Sequence, residues 1–114
     1  MALEIRREWK ALEAAAVNAV PAQLGVYEIA DASGKVLFIG CAGGRSLFGL
    51  RGELQRELER RGAGFRFRWE ATSTYFSRRD ELQMVHLAAH GAFPPENPPR
   101  PGLHPIGVPA ARQP

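Results

Sequence analysis

Prolines concentrate at one end of this 114-residue chain and so restrict its regular secondary structure to the rest. All nine prolines except Pro21 lie in the last 22 residues. Because proline lacks a backbone N–H donor and interrupts helices and central strands, we expect residues 98–114 to form an extended tail. The remaining residues suffice for one folded domain and not for two.

Apolar residues at helical spacing predict three helices before the tail. Residues 1–20 carry apolar side chains three and four positions apart, which predicts an N-terminal amphipathic helix that Pro21 ends. Leucines at similar spacing predict a second helix over residues 47–62. Ser77, with an acidic residue three positions later, has the form of a capping box and predicts the start of a third helix that ends at Gly91.

Three segments have the alternation that is typical of strands. Residues 25–30 and 35–40 are joined by a turn sequence and predict a β-hairpin. Residues 65–71 alternate strictly, with two Phe and a Trp on one face and two Arg and a Glu on the other. The order of elements predicts an α+β domain over residues 21–97, with a small three-stranded antiparallel sheet flanked by helices.

Charge and cysteine content limit the classes of partner and compartment. Fifteen basic against twelve acidic residues give a net charge of +3, and most of the basic residues are Arg, which suits forked contacts to phosphate. A genomic bias in base composition explains the Arg count equally well. Cys41 is the single cysteine, which excludes an internal disulfide and favours the cytoplasm. No apolar run approaches the roughly 20 residues of a membrane span, so we expect no membrane partner.

Two tripeptides on the predicted hairpin carry a resemblance to a known family. Gly-Val-Tyr at residues 25–27 and Phe-Ile-Gly at residues 38–40 are ten residues apart, and a helix, a strand and a helix follow. This arrangement resembles the GIY-YIG nuclease superfamily over about residues 23–97. The resemblance implies a small sheet with helices and, in most members, DNA cleavage by phosphodiester hydrolysis with one divalent metal ion.

The resemblance also implies roles for individual residues. Tyr27 stands where the family has the tyrosine that acts as the base or activates water. Arg51 is the candidate for the helical arginine that steadies the phosphorane, and Asn97 fits the terminal asparagine near the scissile phosphate. Phe38 replaces the usual second tyrosine. The metal-binding glutamate position falls on His86, whose imidazole suits zinc, nickel or copper better than magnesium.

The residue pattern alone leaves these assignments open. Arg51 lies about 55° from the centre of the leucine stripe, which allows two interpretations. Either its methylene groups cover the core edge while its guanidinium reaches Glu53 or solvent, or its guanidinium lines an anion pocket. Tyr27 is either a core aromatic with its hydroxyl at the rim or a base whose pKa a cation must lower. His86 and His90 are four residues apart, as in some metal sites, but most such pairs are coincidental.

Arg45, Arg66 and Arg68 are the candidate nucleic-acid-binding residues. Arg66 and Arg68 share the predicted outward face of a strand, where they could follow a phosphate backbone together with Arg45. A solvated surface with interspersed glutamates is the alternative explanation for the basic residues on the helices.

Three functions follow from these observations. We expect a nucleic-acid-binding domain on a GIY-YIG endonuclease-like scaffold, with DNA or RNA as partner and with weakened or lost hydrolysis. The second is an active endonuclease that needs a divalent metal. The third is a protein-interaction domain whose N-terminal helix or Pro-rich tail binds a partner. Steep salt dependence of binding would separate the first two from the third, and metal dependence would separate the first from the second.

Overall fold

The computed structural model describes residues 3–107 and has an α+β fold with a four-stranded antiparallel sheet and three helices. The α+β class is therefore confirmed, while the sheet has one strand more than predicted. In chain order the elements are β1 (Lys10–Ala11), α1 (Ala14–Asn18), β2 (Gly25–Ala30), β3 (Val36–Ala42), α2 (Gly49–Arg61), β4 (Arg66–Ala71) and α3 (Tyr75–His90).

β2 is a central strand of the sheet and carries the first of the two tripeptides, while its neighbour β3 carries the second. The strands follow the order β1-β4-β2-β3, and every residue of β2 is buried. Tyr27 pairs with Gly40 of β3 on one side and with Trp69 of β4 on the other. The two tripeptides therefore lie side by side on adjacent antiparallel strands.

The sheet has an apolar cluster on each face, because successive residues of a strand point to opposite sides. Tyr27, Ile29 and Phe67 face the helices α1 and α2 in one cluster. Val26 and Ile39 face α3 in the other. The helices thus form two outer layers around the sheet, and β2 and β3 contribute side chains to both cores.

The predicted N-terminal helix is wrong for most of its length. Of residues 3–20, only Ala14–Asn18 is helical, while Lys10–Ala11 pairs with β4 as an edge strand. Ile5 belongs to the apolar cluster on the α3 side and Leu12 to the cluster on the other side. The apolar spacing thus arises from a segment that crosses the edge of the sheet and inserts side chains into both cores.

The other two helices begin at different residues from those predicted but end as expected. α3 starts at Tyr75, so Ser77 lies inside the helix and is not its N-cap. Asp80, the predicted capping acid, forms ion pairs with Arg79 and Arg100 instead. Gly62 follows α2 and Gly91 follows α3 with positive φ angles of 76° and 75°, as expected for glycines that end helices.

The segment after α3 has no regular helix or strand up to residue 107, and the rest of the predicted tail, residues 108–114, lies outside the described residues. Its first part follows the edge strand β3, where the Glu96 amide donates to the Leu37 carbonyl over 2.9 Å. Further on, the Ile106 amide reaches the Met84 carbonyl of α3 over 3.3 Å. The tail therefore covers an edge that would otherwise expose unpaired backbone groups.

Candidate functional site

Tyr27 and Asn97 line the same depression beside β3, with a volume of about 370 Å³. Arg79 and Gln83 of α3 and Arg100 of the tail also line it. The glycine of the second tripeptide makes this arrangement fit. A Cβ atom at Gly40 would lie 2.8 Å from the Tyr27 hydroxyl oxygen, so only glycine leaves room for the ring across the strand pair.

Tyr27 is held as a neutral hydrogen-bond donor. Its side chain is only 4% exposed, and its hydroxyl donates to Glu57 Oε2 over 3.1 Å. The pKa of Tyr27 is raised far above its usual range, mainly by burial and secondly by the negative charge of Glu57. A general base must give up this proton, so the structure offers no support for the catalytic role that the resemblance implies.

Arg51 does not line the depression that contains Tyr27. Its Nε atom donates to the Val20 carbonyl over 2.7 Å and ties α2 to the segment that follows α1. Glu53, the other partner considered for Arg51, accepts from Ser46 and pairs with Arg56. Arg51 therefore has a structural contact of its own, and no cation from Arg51 faces the Tyr27 phenol.

Both polar atoms of the Asn97 amide form hydrogen bonds with the backbone of β3. Its Oδ1 accepts from the Ile39 amide over 2.8 Å, and its Nδ2 donates to the Ile39 carbonyl over 3.0 Å. The side chain thus replaces a neighbouring strand at one residue of the sheet edge. Asn97 lies close to Tyr27 as predicted, but its polar atoms already have protein partners.

Glu57 joins Tyr27 to a network of charged residues that the sequence analysis missed. Besides the Tyr27 hydroxyl, Glu57 accepts from Arg60 and Arg61, each over 2.8 Å. The Arg61 side chain is 4% exposed and also pairs with Glu96 of the tail. The signal was present in the sequence, because Glu57 lies at the edge of the leucine stripe where an apolar residue would be expected.

His86 lies in a different depression, close to the turn between β2 and β3. Its ring stacks on His90 at 4.2 Å, its Nδ1 is 3.0 Å from the Ala92 carbonyl oxygen, and burial lowers its pKa. The α3 residues that face the Tyr27 depression are Arg79 and Gln83 instead. Counting along the sequence selected the wrong face of α3, because it could not fix where the helix begins.

The residues around Tyr27 do not fit a divalent metal ion. Magnesium prefers several hard oxygen ligands with carboxylates among them. Of the described residues lining this depression, Glu53 alone is a carboxylate, and the guanidinium groups of Arg79 and Arg100 would repel a cation. In the part of the chain that the structure covers, no three His, Cys, Asp or Glu side chains form a group that could hold a metal ion.

The three predicted nucleic-acid-binding arginines have different surroundings. Arg68 is ion-paired with Glu28, with Nε and Oε1 2.5 Å apart, and its guanidinium lies 4.4 Å from the centre of the Trp9 ring. The N-terminal segment thus covers the face that was expected to be open, and the prediction of an outward Arg68 is wrong. Arg66 and Arg45 are exposed. Only Arg45 lines a depression next to that of Tyr27.

A second depression of about 480 Å³ adjoins the first and shares Cys41 and Glu53 with it. We call the two together the Cys41 groove. Arg45 and Arg56 line the second part, beside the ring of Phe76. That ring is 58% exposed and lies 5.2 Å from the guanidinium of Arg79. Guanidinium groups bind anions and aromatic rings stack on planar ligands, so the groove offers both kinds of contact.

The wall of the groove is held by close contacts between its loop and α3. The Gly44 amide donates to the Tyr75 hydroxyl over 3.1 Å. A Cβ atom at Gly43 would lie 2.8 Å from the Tyr75 ring, so this glycine permits the close approach. Gly43 and Gly44, in the loop between β3 and α2, therefore form a fixed wall against α3.

Gln83 is an unusual residue in the Tyr27 part of the groove. Its side chain is 3% exposed, and its Oε1 atom has no hydrogen-bond partner among residues 3–107. Buried polar atoms are normally paired, so this acceptor calls for an explanation. The sequence held one indication: Gln83 lies four residues after Arg79, on the same helix face.

The raised pKa of Tyr27 predicts an alkaline loss of stability. The unfolded chain releases the tyrosine proton near pH 10, whereas the folded chain keeps it. Stability is therefore retained below about pH 10 and should fall by about 1.4 kcal/mol for each further pH unit. Urea unfolding followed between pH 9 and 11 should show this slope in the wild type and a correspondingly smaller one in Tyr27→Phe. Equal slopes would contradict the assignment.

Comparisons with known proteins identify a family for most of the chain. A family model described as a domain of unknown function, DUF7508, matches residues 1–89. Neither the curated proteins nor the solved structures include a match to this chain. None of the helices within residues 3–107 has the length and apolar character that crossing a membrane requires. The matched segment contains all three helices up to residue 89 and the whole sheet, and the chain belongs to the DUF7508 family.

Proposed function

We propose that this chain is a nucleic-acid-binding domain on a GIY-YIG-like scaffold that has lost phosphodiester hydrolysis. The observation that carries the proposal is the composition of the Cys41 groove. Four arginines line it among the described residues, against two carboxylates: Glu53, which pairs with Arg56, and Asp80 at its edge, which pairs with Arg79 and Arg100. Such an excess of guanidinium groups along one groove suits a phosphate backbone.

The strand arrangement supports the GIY-YIG-like scaffold. The tripeptides at residues 25–27 and 38–40 lie on paired strands, with Tyr27 opposite Gly40. Both outer glycines are required by close contacts, since a Cβ atom at Gly25 would lie 2.2 Å from the Glu70 carbonyl oxygen and one at Gly40 would meet Tyr27. These contacts give a physical reason for the two glycines of the resemblance.

The contacts of the three candidate catalytic residues support the loss of hydrolysis. Tyr27 donates to Glu57, Arg51 donates to Val20, and Asn97 pairs with Ile39. Each group is committed to the fold, and Phe38 supplies no hydroxyl where the family usually has a second tyrosine. Binding through the arginines of the Cys41 groove needs none of these residues to be free.

The contacts of the terminal segments favour nucleic-acid binding over a protein-interaction role. The N-terminal segment buries Ile5 and Leu12 in the two cores, and the tail is bonded to β3 through Asn97. Within residues 3–107, the N-terminal segment and the start of the tail are therefore held against the domain, and this part of the expected partner surface is taken up by the fold itself. Cytoplasmic location is part of the same proposal and rests on the single cysteine, Cys41.

Binding of labelled oligonucleotides by purified protein tests the proposal. Affinity should fall steeply between roughly 50 and 200 mM salt. Arg45→Ala and Arg56→Ala should each weaken binding about 3- to 10-fold and reduce the salt slope by about 1. The oligonucleotides should stay intact when magnesium or manganese is added.

Arg66→Ala is the matched control, because it removes one exposed positive charge outside the groove. It should change affinity less than twofold. If no oligonucleotide binds at low salt, or if Arg66→Ala weakens binding as much as Arg45→Ala, the groove is not a nucleic-acid site. Metal-dependent cleavage that Tyr27→Phe abolishes would show that hydrolysis is retained.

A further inference from the structure

We propose that the Cys41 groove binds single-stranded nucleic acid in preference to duplex, with unpaired bases stacked at Phe76. The inference rests on the proposed function and adds the strand state of the ligand. Three features of the groove carry it: an exposed aromatic platform, arginines near that platform, and a buried acceptor that needs a partner.

The platform consists of Phe76 with the residues that fix it. Tyr75 contacts the Phe76 ring edge-on, with ring centres 4.7 Å apart, and Tyr75 is itself bonded to the Gly44 amide. Arg79 lies over the same ring. More than half of the Phe76 surface nevertheless remains exposed. Bases stack on aromatic rings and on guanidinium planes, and a preordered platform reduces the entropy cost of that contact.

A further exposed aromatic continues the platform beyond the groove. Phe48, at the start of α2, is 62% exposed and lines a depression that shares Arg45, Glu53 and Arg56 with the groove. Exposed phenyl rings beside arginines form a surface that accepts alternating bases and phosphates. In a duplex the bases are stacked on one another, so its backbone would contact the arginines and leave the rings without partners.

Gln83 gives the second, independent observation. Its buried Oε1 accepts a hydrogen bond from no described residue, so a water molecule or an N–H or O–H group of a ligand is needed to satisfy it. A phosphodiester has no such proton at neutral pH. An unpaired base offers N–H donors on its Watson–Crick edge, and those donors are already paired in a duplex. Gln83 therefore favours a base, over a phosphate alone, in the Tyr27 part of the groove.

Anisotropy titrations with one labelled sequence in two forms test this inference. The full chain is titrated with the single strand and with the same strand annealed to its complement, as DNA and as RNA. We expect the single strand to bind at least about 10-fold more tightly, because stacking at Phe76 is available to it alone. A strand with abasic positions should lose most of this advantage.

Variants locate the preference within the groove. Phe76→Ala should weaken single-strand binding about 10-fold and leave duplex binding within twofold, while Phe76→Trp should retain the affinity. Phe93→Ala, in the depression that contains His86, is the control and should change neither. Gln83→Met keeps the side-chain volume and removes the acceptor together with the long 3.5 Å bond from Nε2 to the Ile39 carbonyl, which keeps Asn97 as a donor. It should weaken single-strand binding about 5-fold without lowering the melting temperature.

The outcomes separate this inference from the proposed function. Equal affinity for the single strand and the duplex overturns the single-strand preference, as does an equal loss of affinity for both in Phe76→Ala. If binding in that case still depends on the arginines, the nucleic-acid role stands. Absence of binding to every form overturns both and points to a protein segment as the ligand of the exposed rings. Wild-type affinity in Gln83→Met overturns the base contact assigned to Gln83.

Discussion

Replacement of Glu57 by alanine is expected to lower the free energy of unfolding by about 3 kcal/mol. The substitution leaves the Tyr27 hydroxyl buried without its acceptor and removes one of the two carboxylates that compensate Arg61. Because the Arg61 side chain is almost fully buried, water cannot replace the lost partner. The effect should therefore exceed that of an exposed ion pair several times over.

Chemical denaturation of the variant and two controls measures this effect. Glu59→Ala removes an exposed glutamate from the same helix and should stay within about 0.5 kcal/mol of the wild type. Tyr27→Phe removes only the hydroxyl, and Glu57 keeps Arg60 and Arg61, so it should cost about 1 kcal/mol. A loss below about 1 kcal/mol in Glu57→Ala would show that the network does not stabilise the fold.

Gly25→Ala is expected to lower the free energy of unfolding by about 3 kcal/mol or more. The new Cβ would lie 2.2 Å from the Glu70 carbonyl oxygen and 3.0 Å from the Ala71 Cα. Both atoms belong to the backbone of β4, so relief requires that β4 move away from the central strand β2. Rotation of a side chain cannot relieve this clash.

Circular dichroism and denaturation of Gly25→Ala test that expectation. Gly44→Ala is the matched control, because its Cβ would meet only the Tyr75 hydroxyl at an ordinary 3.5 Å and its φ angle is not positive. The control should unfold within about 1 kcal/mol of the wild type. If Gly25→Ala is as stable as Gly44→Ala, the first tripeptide does not need glycine for packing.

The sequence predicted the sheet well where alternation was strict. Residues 25–30 form β2 as expected, and the Phe and Trp side chains of β4 share one face because alternation follows directly from strand geometry. The prediction of a long N-terminal helix was wrong because apolar residues at helical spacing also occur where a chain crosses a sheet edge and buries side chains on both faces. β1 has only two residues, too few to show a pattern.

The candidate residues that the structure brings together are those on a predicted strand or beside one. Tyr27 and Asn97 share a depression as expected, because β2, β3 and the start of the tail are adjacent. Arg51 and His86 lie outside this depression. Periodicity gives the angular position of a residue on its own helix, but it does not say which neighbouring element that side of the helix faces. Gln83 shares a helix face with Arg79, which the sequence shows, but the unpaired state of its Oε1 atom is visible only in the structure.

The central claim is that nucleic acid binds in the Cys41 groove, and the amide signals of its glycine loop report this most directly. In a ¹H–¹⁵N spectrum, titration with a single-stranded oligonucleotide should shift the amides of Gly43 and Gly44, which line the groove. The amide of Gly34, in the separate depression with His86, should not move. Shifts at Gly34 with none at Gly43 and Gly44 would place the ligand elsewhere and contradict the account.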